Sequence, residues 1–316
     1  MDRFVFFGGK GGVGKTTVSS AYAHKCATAG QEVLLVSTDP AHSTADVFDQ
    51  EFDDEPQPVA GYDSLSAVEI DPQEAVDEHL MGIKRSLGDQ VSPAIVNEID
   101  RQIELAHRTP GAHEAALFDR FINVMQNAEA FDRVVFDTSP TGGTLRLLSL
   151  PEYLGGWINR LLEKREESVK LYERAAIGGR EPQRTTVGDP IIARLQQRKE
   201  NFEFAEVTLR TEASFFLVAN PDQLSVRETA RAIDQLREYE LTIGGIVMNR
   251  LTPEPDPEEN GRGARYLRDR IETERERLRT VHDSLEPPVV ATIESRVREV
   301  KGDLLESVAA ELDVTS

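Results

Sequence analysis

Short apolar runs rich in β-branched and aromatic residues recur along the chain and predict the strands of a sheet. They lie at residues 4–7, 33–37, 65–70, 133–136, 214–219 and 245–249, with a weaker seventh at 288–292. Most are apolar at every position rather than alternating, which is typical of strands buried on both faces of a parallel sheet. Because helical stretches separate these runs, the pattern predicts a doubly wound, mostly parallel α/β fold.

Two intervals between the predicted strands, at about residues 72–130 and 151–210, are too long to be simple crossovers. Apolar residues repeat in them at helical spacing, for example at 95, 99 and 103, at 118, 122 and 125, and within 153–162. We therefore predict a single domain over residues 1–316 with a helical subdomain inserted at these two places. Residues 178–190 and the acidic stretch 253–263 have the composition of loops.

Composition places the chain among globular proteins. Of its 316 residues, 39% are hydrophobic and 29% are charged. No apolar run approaches the roughly 18 residues of a membrane helix, and the N-terminus has no pattern of a secretory signal. We expect a cytoplasmic protein without direct membrane insertion. Cys26 is the only cysteine, which excludes an intrachain disulfide or a multi-cysteine metal site within one chain.

The net charge of −20 argues against nucleic acid or an anionic membrane as a partner, because both require a basic surface. Lysine stands at only eight positions, and arginine supplies the other basic residues. Acidic excess with few lysines predicts a protein adapted to high salt, where the repulsion among its charges is screened.

The first predicted strand runs into "GGKGGVGKTT", residues 8–17, which contains the spacing of a phosphate-binding P-loop. Glycines there let backbone N–H groups surround phosphates. Lys15 is expected to neutralise the β- and γ-phosphates of ATP, and Thr16 to offer its hydroxyl to Mg²⁺. The predicted nucleotide-binding residues of this loop are Gly9, Gly11, Gly12, Val13, Gly14, Lys15, Thr16 and Thr17.

The loop carries a second lysine, Lys10, although Lys15 already serves the chain's own phosphates. A cation at the outer edge of the loop can reach the nucleotide of a neighbouring chain. There it could stabilise the charge that develops on the transferred phosphoryl group, as an arginine finger does. Lys10 therefore predicts a homodimer with facing ATP sites.

Two aspartates follow predicted strands. Asp39, in "STDPAH", is a candidate to orient and deprotonate the attacking water, or to hold Mg²⁺ through water. Asp137, in "FDTSPTGG", is a candidate for the Mg²⁺ shell. The glycines after Asp137 allow the backbone to change conformation when a γ-phosphate is present.

The segments "KGGVGKTT", "STDPAH", "AVEIDP" and "FDTSPTGGTLRLLSLP" resemble the ArsA family of arsenical pump-driving ATPases, which includes the targeting ATPases of tail-anchored membrane proteins. The resemblance implies a P-loop NTPase fold and makes Lys10 the signature lysine of a deviant Walker A motif. It implies that Asp39 is the switch I aspartate, that Asp137 opens switch II and that Asn249 contacts adenine.

The sequence departs from the family pattern at two places. Gly143 stands where the family commonly has a histidine in switch II. The region of the zinc-binding CxxC pair of targeting members, near "EENGRGARYLRD", has no cysteine, so we expect ATP and Mg²⁺ as cofactors but no zinc.

The resemblance implies a Mg²⁺-dependent ATP hydrolase that switches as a homodimer and delivers a hydrophobic client helix to a membrane receptor. The apolar repeats at 95–103 and 153–162 fit either a client groove or the core of the helical subdomain. The alternative is the ATPase subunit of an arsenite efflux pump. Against that alternative stand the single P-loop and the lack of the several thiols that such an arsenite site uses.

Overall fold

A computed structural model describes residues 2–38, 43–71, 112–138, 159, 160, 163 and 190–312. All seven predicted strands are confirmed, and one short strand joins them. The strands are β1 (Phe4–Gly9), β2 (Val33–Ser37), β3 (Gln57–Pro58), β4 (Leu65–Glu69), β5 (Arg133–Asp137), β6 (Ala213–Ala219), β7 (Thr242–Leu251) and β8 (Val289–Glu294). The helices named here are α1 (Lys15–Thr28), α2 (Ser43–Phe48), α3 (Ala112–Gln126), α4 (Pro190–Thr211), α5 (Gln223–Glu238), α6 (Arg262–Ser284) and α7 (Asp303–Glu311).

Within the described residues the eight strands form one sheet in the order β3-β4-β2-β5-β1-β6-β7-β8. All neighbours pair in parallel except β3 and β4. The predicted mostly parallel α/β fold is therefore confirmed. The carboxyl ends of β1, β2 and β5 meet at one edge, where ligands of such folds bind.

Apolar side chains fill both faces of the sheet. On one face Phe6 stacks between Phe136 and Phe215, with ring centroids 4.4 and 4.7 Å away, and Phe121 of α3 meets Phe136 edge-on. On the other face α1 and α7 pack against the strands, with Cys26 fully buried in that cluster. Burial raises the pKa of the Cys26 thiol, which fits a packing residue rather than a reactive one.

The ends of the two stretches predicted as a helical subdomain pack near the sheet. Phe118 of α3 lies 5.8 Å from the ring of Phe202 of α4, and both belong to the core around Phe6. Residues 95–103 and most of 153–162 lie outside the described residues. The bounds of an inserted subdomain thus stay a prediction. In the part of the chain that the structure describes, no helix is both long and apolar enough to span a bilayer.

Candidate functional site

The P-loop joins β1 to α1 and passes close to its neighbours. Gly9 has a φ of 145°, and a Cβ added there would overlap the carbonyl oxygen of Val218 in β6. Gly14 has a φ of 93°, and a Cβ there would overlap the side-chain amide of Asn249. Both positions therefore require glycine, which tolerates positive φ and leaves room for the neighbouring atoms.

The two lysines of the loop differ in their surroundings. Lys15 is buried and its Nζ donates to the carbonyl oxygen of Lys10 at 3.4 Å, so its side chain lies over the loop. Lys10 is half-buried and adjoins Gly11 and Gly12, which are exposed. Lys10 therefore stands beside the exposed tip of the loop.

A hydroxyl and a carboxylate meet at the start of α1. Thr16 Oγ1 donates to Asp137 Oδ2 at 2.5 Å, and Asp137 is 2% exposed. The sheet places Asp137 next to the end of β1, where the P-loop begins, because Phe7 of β1 and Ser37 of β2 are its register partners. An adjacent hydroxyl and carboxylate at a P-loop suit Mg²⁺, whose other ligands are water and phosphate oxygens. The two residues predicted as metal ligands are thus brought together.

Asp39 and Gly143 lie outside the described residues, but the chain on both sides of the first is held in place. The Thr38 N–H donates to the Asp137 carbonyl oxygen at 3.2 Å. Beyond the gap, the buried carboxylate of Glu69 accepts hydrogen bonds from the backbone N–H groups of Thr44 and Ala45 at 3.1 and 3.0 Å. Glu69 therefore caps the first turn of α2 and satisfies two of its N–H groups.

Asn249, at the end of β7, supports the P-loop. Its Nδ2 donates to the Val13 carbonyl oxygen at 2.7 Å, and its Oδ1 accepts from the Arg250 N–H at 2.8 Å. A side-chain amide has two N–H donors and two acceptor sites, so these bonds use half of its capacity. The predicted contact with adenine would use the remaining N–H donor and the remaining acceptor site of the amide.

Asn249 is itself positioned through α6. The buried carboxylate of Glu274 accepts hydrogen bonds from the N–H and the hydroxyl of Thr252 at 2.8 and 2.7 Å, and from Arg270 Nε at 2.9 Å. These bonds fasten the end of β7 to α6, three residues after Asn249.

A cleft of about 460 Å³ opens beside the P-loop, a volume within the usual range for small-molecule sites. Part of its lining consists of the P-loop and α1, with contributions from α2 and from Asn249 and Arg250. The rest of the lining, which we name the C-terminal wall, comprises Val308 of α7 and residues 293–296 and 298–301 at and beyond the end of β8. Sequence reasoning missed the C-terminal wall, because "SRVREVK" matches no nucleotide-binding motif.

Among the described residues that line this cleft, cations outnumber acidic groups, although the chain as a whole carries −20. The cations are Lys15, Arg250, Arg296, Arg298 and Lys301, and the acidic residues are Asp46, Glu294 and Glu299. Arg296 is paired with Glu311 and Lys301 with Glu299, so the excess of positive charge is small. In an otherwise acidic protein it still favours polyanions such as nucleotides.

Comparison with known proteins agrees with this geometry. Residues 2–313 match the model of the anion-transporting ATPase family. The chain is 32% identical to a putative arsenical pump-driving ATPase 2 of Aquifex aeolicus over 89% of each sequence. It is 34% identical to an ATPase GET3 of Phaeosphaeria nodorum, over 79% of this chain and 76% of that protein. It is 35% identical to an ATPase ASNA1 homolog of Dictyostelium discoideum, over 80% and 74%. The matched range of the family model includes both the P-loop and the C-terminal wall.

Proposed function

The chain belongs to the anion-transporting ATPase family and is an ATP-hydrolysing enzyme, and from this premise we propose that it acts as a Mg²⁺-dependent, nucleotide-switched homodimer that targets hydrophobic membrane-protein clients. The observation that carries the nucleotide site is the Thr16–Asp137 hydrogen bond at the base of the P-loop, beside a cationic cleft.

In the proposed site, the phosphates of ATP lie against the backbone N–H groups of the P-loop and against Lys15. Thr16 and Asp137 would hold Mg²⁺, which neutralises charge on the phosphates. The nucleoside then extends towards Asn249 and the C-terminal wall.

Hydrolysis in this proposal begins at Asp39, which orients and deprotonates the attacking water. Thr38, the preceding residue, bonds to the backbone of Asp137. This contact supports a link between the switch I segment and the Mg²⁺ ligand. Loss of the γ-phosphate would then change the conformation of both.

Lys10 completes the site of the second copy. Its place beside the exposed loop tip supports a role across a dimer interface, where it would stabilise charge on the transferred phosphoryl group. ATP would then draw the two chains together, and hydrolysis would release them.

Targeting of a hydrophobic helix and arsenite efflux are the two candidate tasks, because the relatives carry names of both kinds. The As(III) centre of arsenite is a soft electron-pair acceptor that is bound by several thiolate ligands. Cys26 is the single cysteine of the chain, and its side chain in α1 is fully buried. This favours the targeting task.

The test measures ATP hydrolysis and mass in solution for wild type, Lys15→Ala, Lys10→Ala and Asp39→Asn. We expect Lys15→Ala to bind Mg·ATP poorly and Asp39→Asn to bind it but not hydrolyse it. Wild type should become dimeric with a non-hydrolysable analogue, whereas Lys10→Ala should not hydrolyse ATP at the wild-type rate. A chain that stays monomeric with the analogue would contradict the dimer.

The choice between client targeting and arsenite efflux is tested separately with the Asp39→Asn variant, which should remain in the ATP-bound state. A photo-crosslinking transmembrane peptide is offered with ATP, with ADP and without nucleotide, next to a peptide of scrambled polar sequence as the control. Capture of the transmembrane peptide alone is the expected result. Absence of capture in every state, together with arsenite-stimulated hydrolysis, would favour the pump.

A further inference from the structure

We infer that Glu311, through its ion pair with Arg296, is a positioning residue that sets nucleotide affinity by fixing the C-terminal wall. This inference rests on the proposed ATP site. Glu311 does not line the cleft, whereas Arg296 and Glu294 do. Its effect on ATP would therefore be transmitted through the wall and not through direct contact.

Glu311 holds the wall with both carboxylate oxygens. Its Oε1 accepts a hydrogen bond from Arg296 Nη2, and its Oε2 accepts from the backbone N–H of Glu294 at 3.0 Å. The same guanidinium donates to Ser307 Oγ at 3.1 Å and to the Glu294 carbonyl oxygen at 3.2 Å. One carboxylate on α7 thus fixes both the last residue of β8 and the side chain two residues later.

The Arg296–Glu311 pair is partly shielded from water. The side chain of Arg296 is 19% exposed and that of Glu311 is 28% exposed. Coulomb attraction between partly buried charges exceeds that of a fully exposed pair. The pair can therefore restrain the C-terminal wall, unlike a fully exposed ion pair, which contributes little.

Helix α7, which carries Glu311, is anchored to the helix that follows the P-loop. Leu305 and Val308 of α7 are buried in one core cluster with Val18 and Tyr22 of α1. Lys25 of α1 also donates to the carbonyl oxygen of Leu312. Because α7 is fixed to α1, Glu311 sets the distance between the C-terminal wall and the P-loop.

The experiment separates nucleoside binding from phosphate binding. Affinities of wild type, Glu311→Gln and Glu206→Gln are measured by calorimetry for Mg·ATP and for inorganic tripolyphosphate, together with KM and kcat. Glu206 forms a somewhat more exposed ion pair with Arg210, and neither residue lines the nucleotide cleft. Glu206→Gln is therefore the matched control.

We expect Glu311→Gln to weaken ATP binding and to raise KM about fivefold, the effect of losing about 1 kcal/mol. The values of kcat and of tripolyphosphate affinity should stay within about twofold of wild type, because the P-loop is not altered. Ser307→Ala, which removes a neutral acceptor from the same guanidinium, should shift ATP affinity in the same direction by about twofold. It provides a second reading if Glu311→Gln folds poorly.

An unchanged ATP affinity in both variants would overturn the inference, as would an equal loss of ATP and tripolyphosphate affinity, which indicates general destabilisation. These outcomes are distinct from failure of the proposed function. A wild-type chain that binds no ATP overturns both proposals, whereas wild-type binding that is lost in Lys15→Ala upholds the ATP site whatever Glu311→Gln does.

Discussion

The backbone at Gly9 leaves no space for a side chain, because β1 and β6 continue as neighbours up to the first residues of the P-loop. Gly30, at the end of α1, also has a positive φ, of 87°, but a Cβ there would meet nothing within 4 Å. The two glycines therefore separate the effect of steric overlap from that of backbone conformation.

We predict that Gly9→Ala lowers the free energy of unfolding by about 2–4 kcal/mol, since steric overlap adds to backbone strain. Gly30→Ala should cost about 1 kcal/mol, from the positive φ alone. Urea unfolding of both variants measures the difference. Equal losses would show that the contact with Val218 is relieved by a small movement.

We predict that substitution of Asp137 lowers the rate of ATP hydrolysis but leaves the protein folded. Asp137→Asn keeps the shape of the side chain but removes the charge that would hold Mg²⁺. We expect kcat to fall by about 10²-fold or more and the Mg²⁺ concentration for half-maximal activity to rise. Asp132→Asn changes an exposed residue just before the same strand and is the control. A wild-type value of kcat in Asp137→Asn would show that Asp137 does not contribute to Mg²⁺ binding.

His24 gives a prediction about pH. Its Nδ1 lies 2.7 Å from the Tyr62 hydroxyl oxygen, and burial lowers the pKa of His24 below 6.5, although nearby Glu306 opposes the shift. The unfolded chain therefore binds the proton more readily, so stability should fall as the pH drops below about 6.5 towards the folded pKa. The loss should level off once the pH is below both values.

Urea unfolding of wild type, His24→Gln and His282→Asn between about pH 5 and pH 8 measures this dependence. His24→Gln should flatten the decrease in stability below pH 6.5. His282 is 84% exposed and serves as the control for loss of a histidine. A His24→Gln profile parallel to that of wild type would assign the acid sensitivity to other groups.

At the scale of elements, the sequence predicts the central strands well and the edges poorly. The runs at β1, β2 and β5 are continuous and apolar, because both faces of these strands are covered. Strand β3 has only two residues and includes Pro58, which suits an edge strand but leaves no hydrophobic pattern to detect.

The candidate site also contains parts that the sequence predicts and one part that it does not. The P-loop, Asp137 and Asn249 could be found from local motifs and from the resemblance, and the fold brings Thr16 to Asp137 and Asn249 to Val13. The C-terminal wall could not, since it depends on contacts between β8 and α7 that no short motif records. Glu294 and Glu311, for example, meet across 17 positions of the chain.

The contact between α6 and the end of β7 carries a prediction at this scale. Removing the buried carboxylate in Glu274→Ala leaves the N–H and hydroxyl of Thr252 without an acceptor. We expect a loss of about 3 kcal/mol in the free energy of unfolding and a weaker affinity for ATP, because Asn249 is only three residues away. Glu272→Ala, on an exposed position of the same helix, is the control. A thermal unfolding curve like that of the control would contradict this role.

For the whole molecule, the charge of −20 and the cationic cleft should respond to salt in opposite ways. Between about 0.1 M and about 2 M KCl the Debye length shrinks from roughly 10 Å to below 3 Å. We predict a higher Tm in the concentrated salt, as repulsion is screened, and a higher KM for ATP, as attraction to the cleft is screened. Calorimetry and steady-state kinetics measure the two effects, and sodium sulfate at equal ionic strength checks for a specific effect of the chloride. A Tm independent of salt would contradict adaptation to high salt.

The attachment of α7 to α1 has a consequence for the order in which the molecule is made. The ribosome produces Glu311 roughly 300 codons after Lys15 and Thr16, a delay of about 15–60 s at common elongation rates. During that interval a nascent chain has its phosphate loop but not the carboxylate that holds the C-terminal wall. Under the proposed role of Glu311, a newly synthesised copy therefore acquires its phosphate loop before it acquires its full affinity for nucleotide.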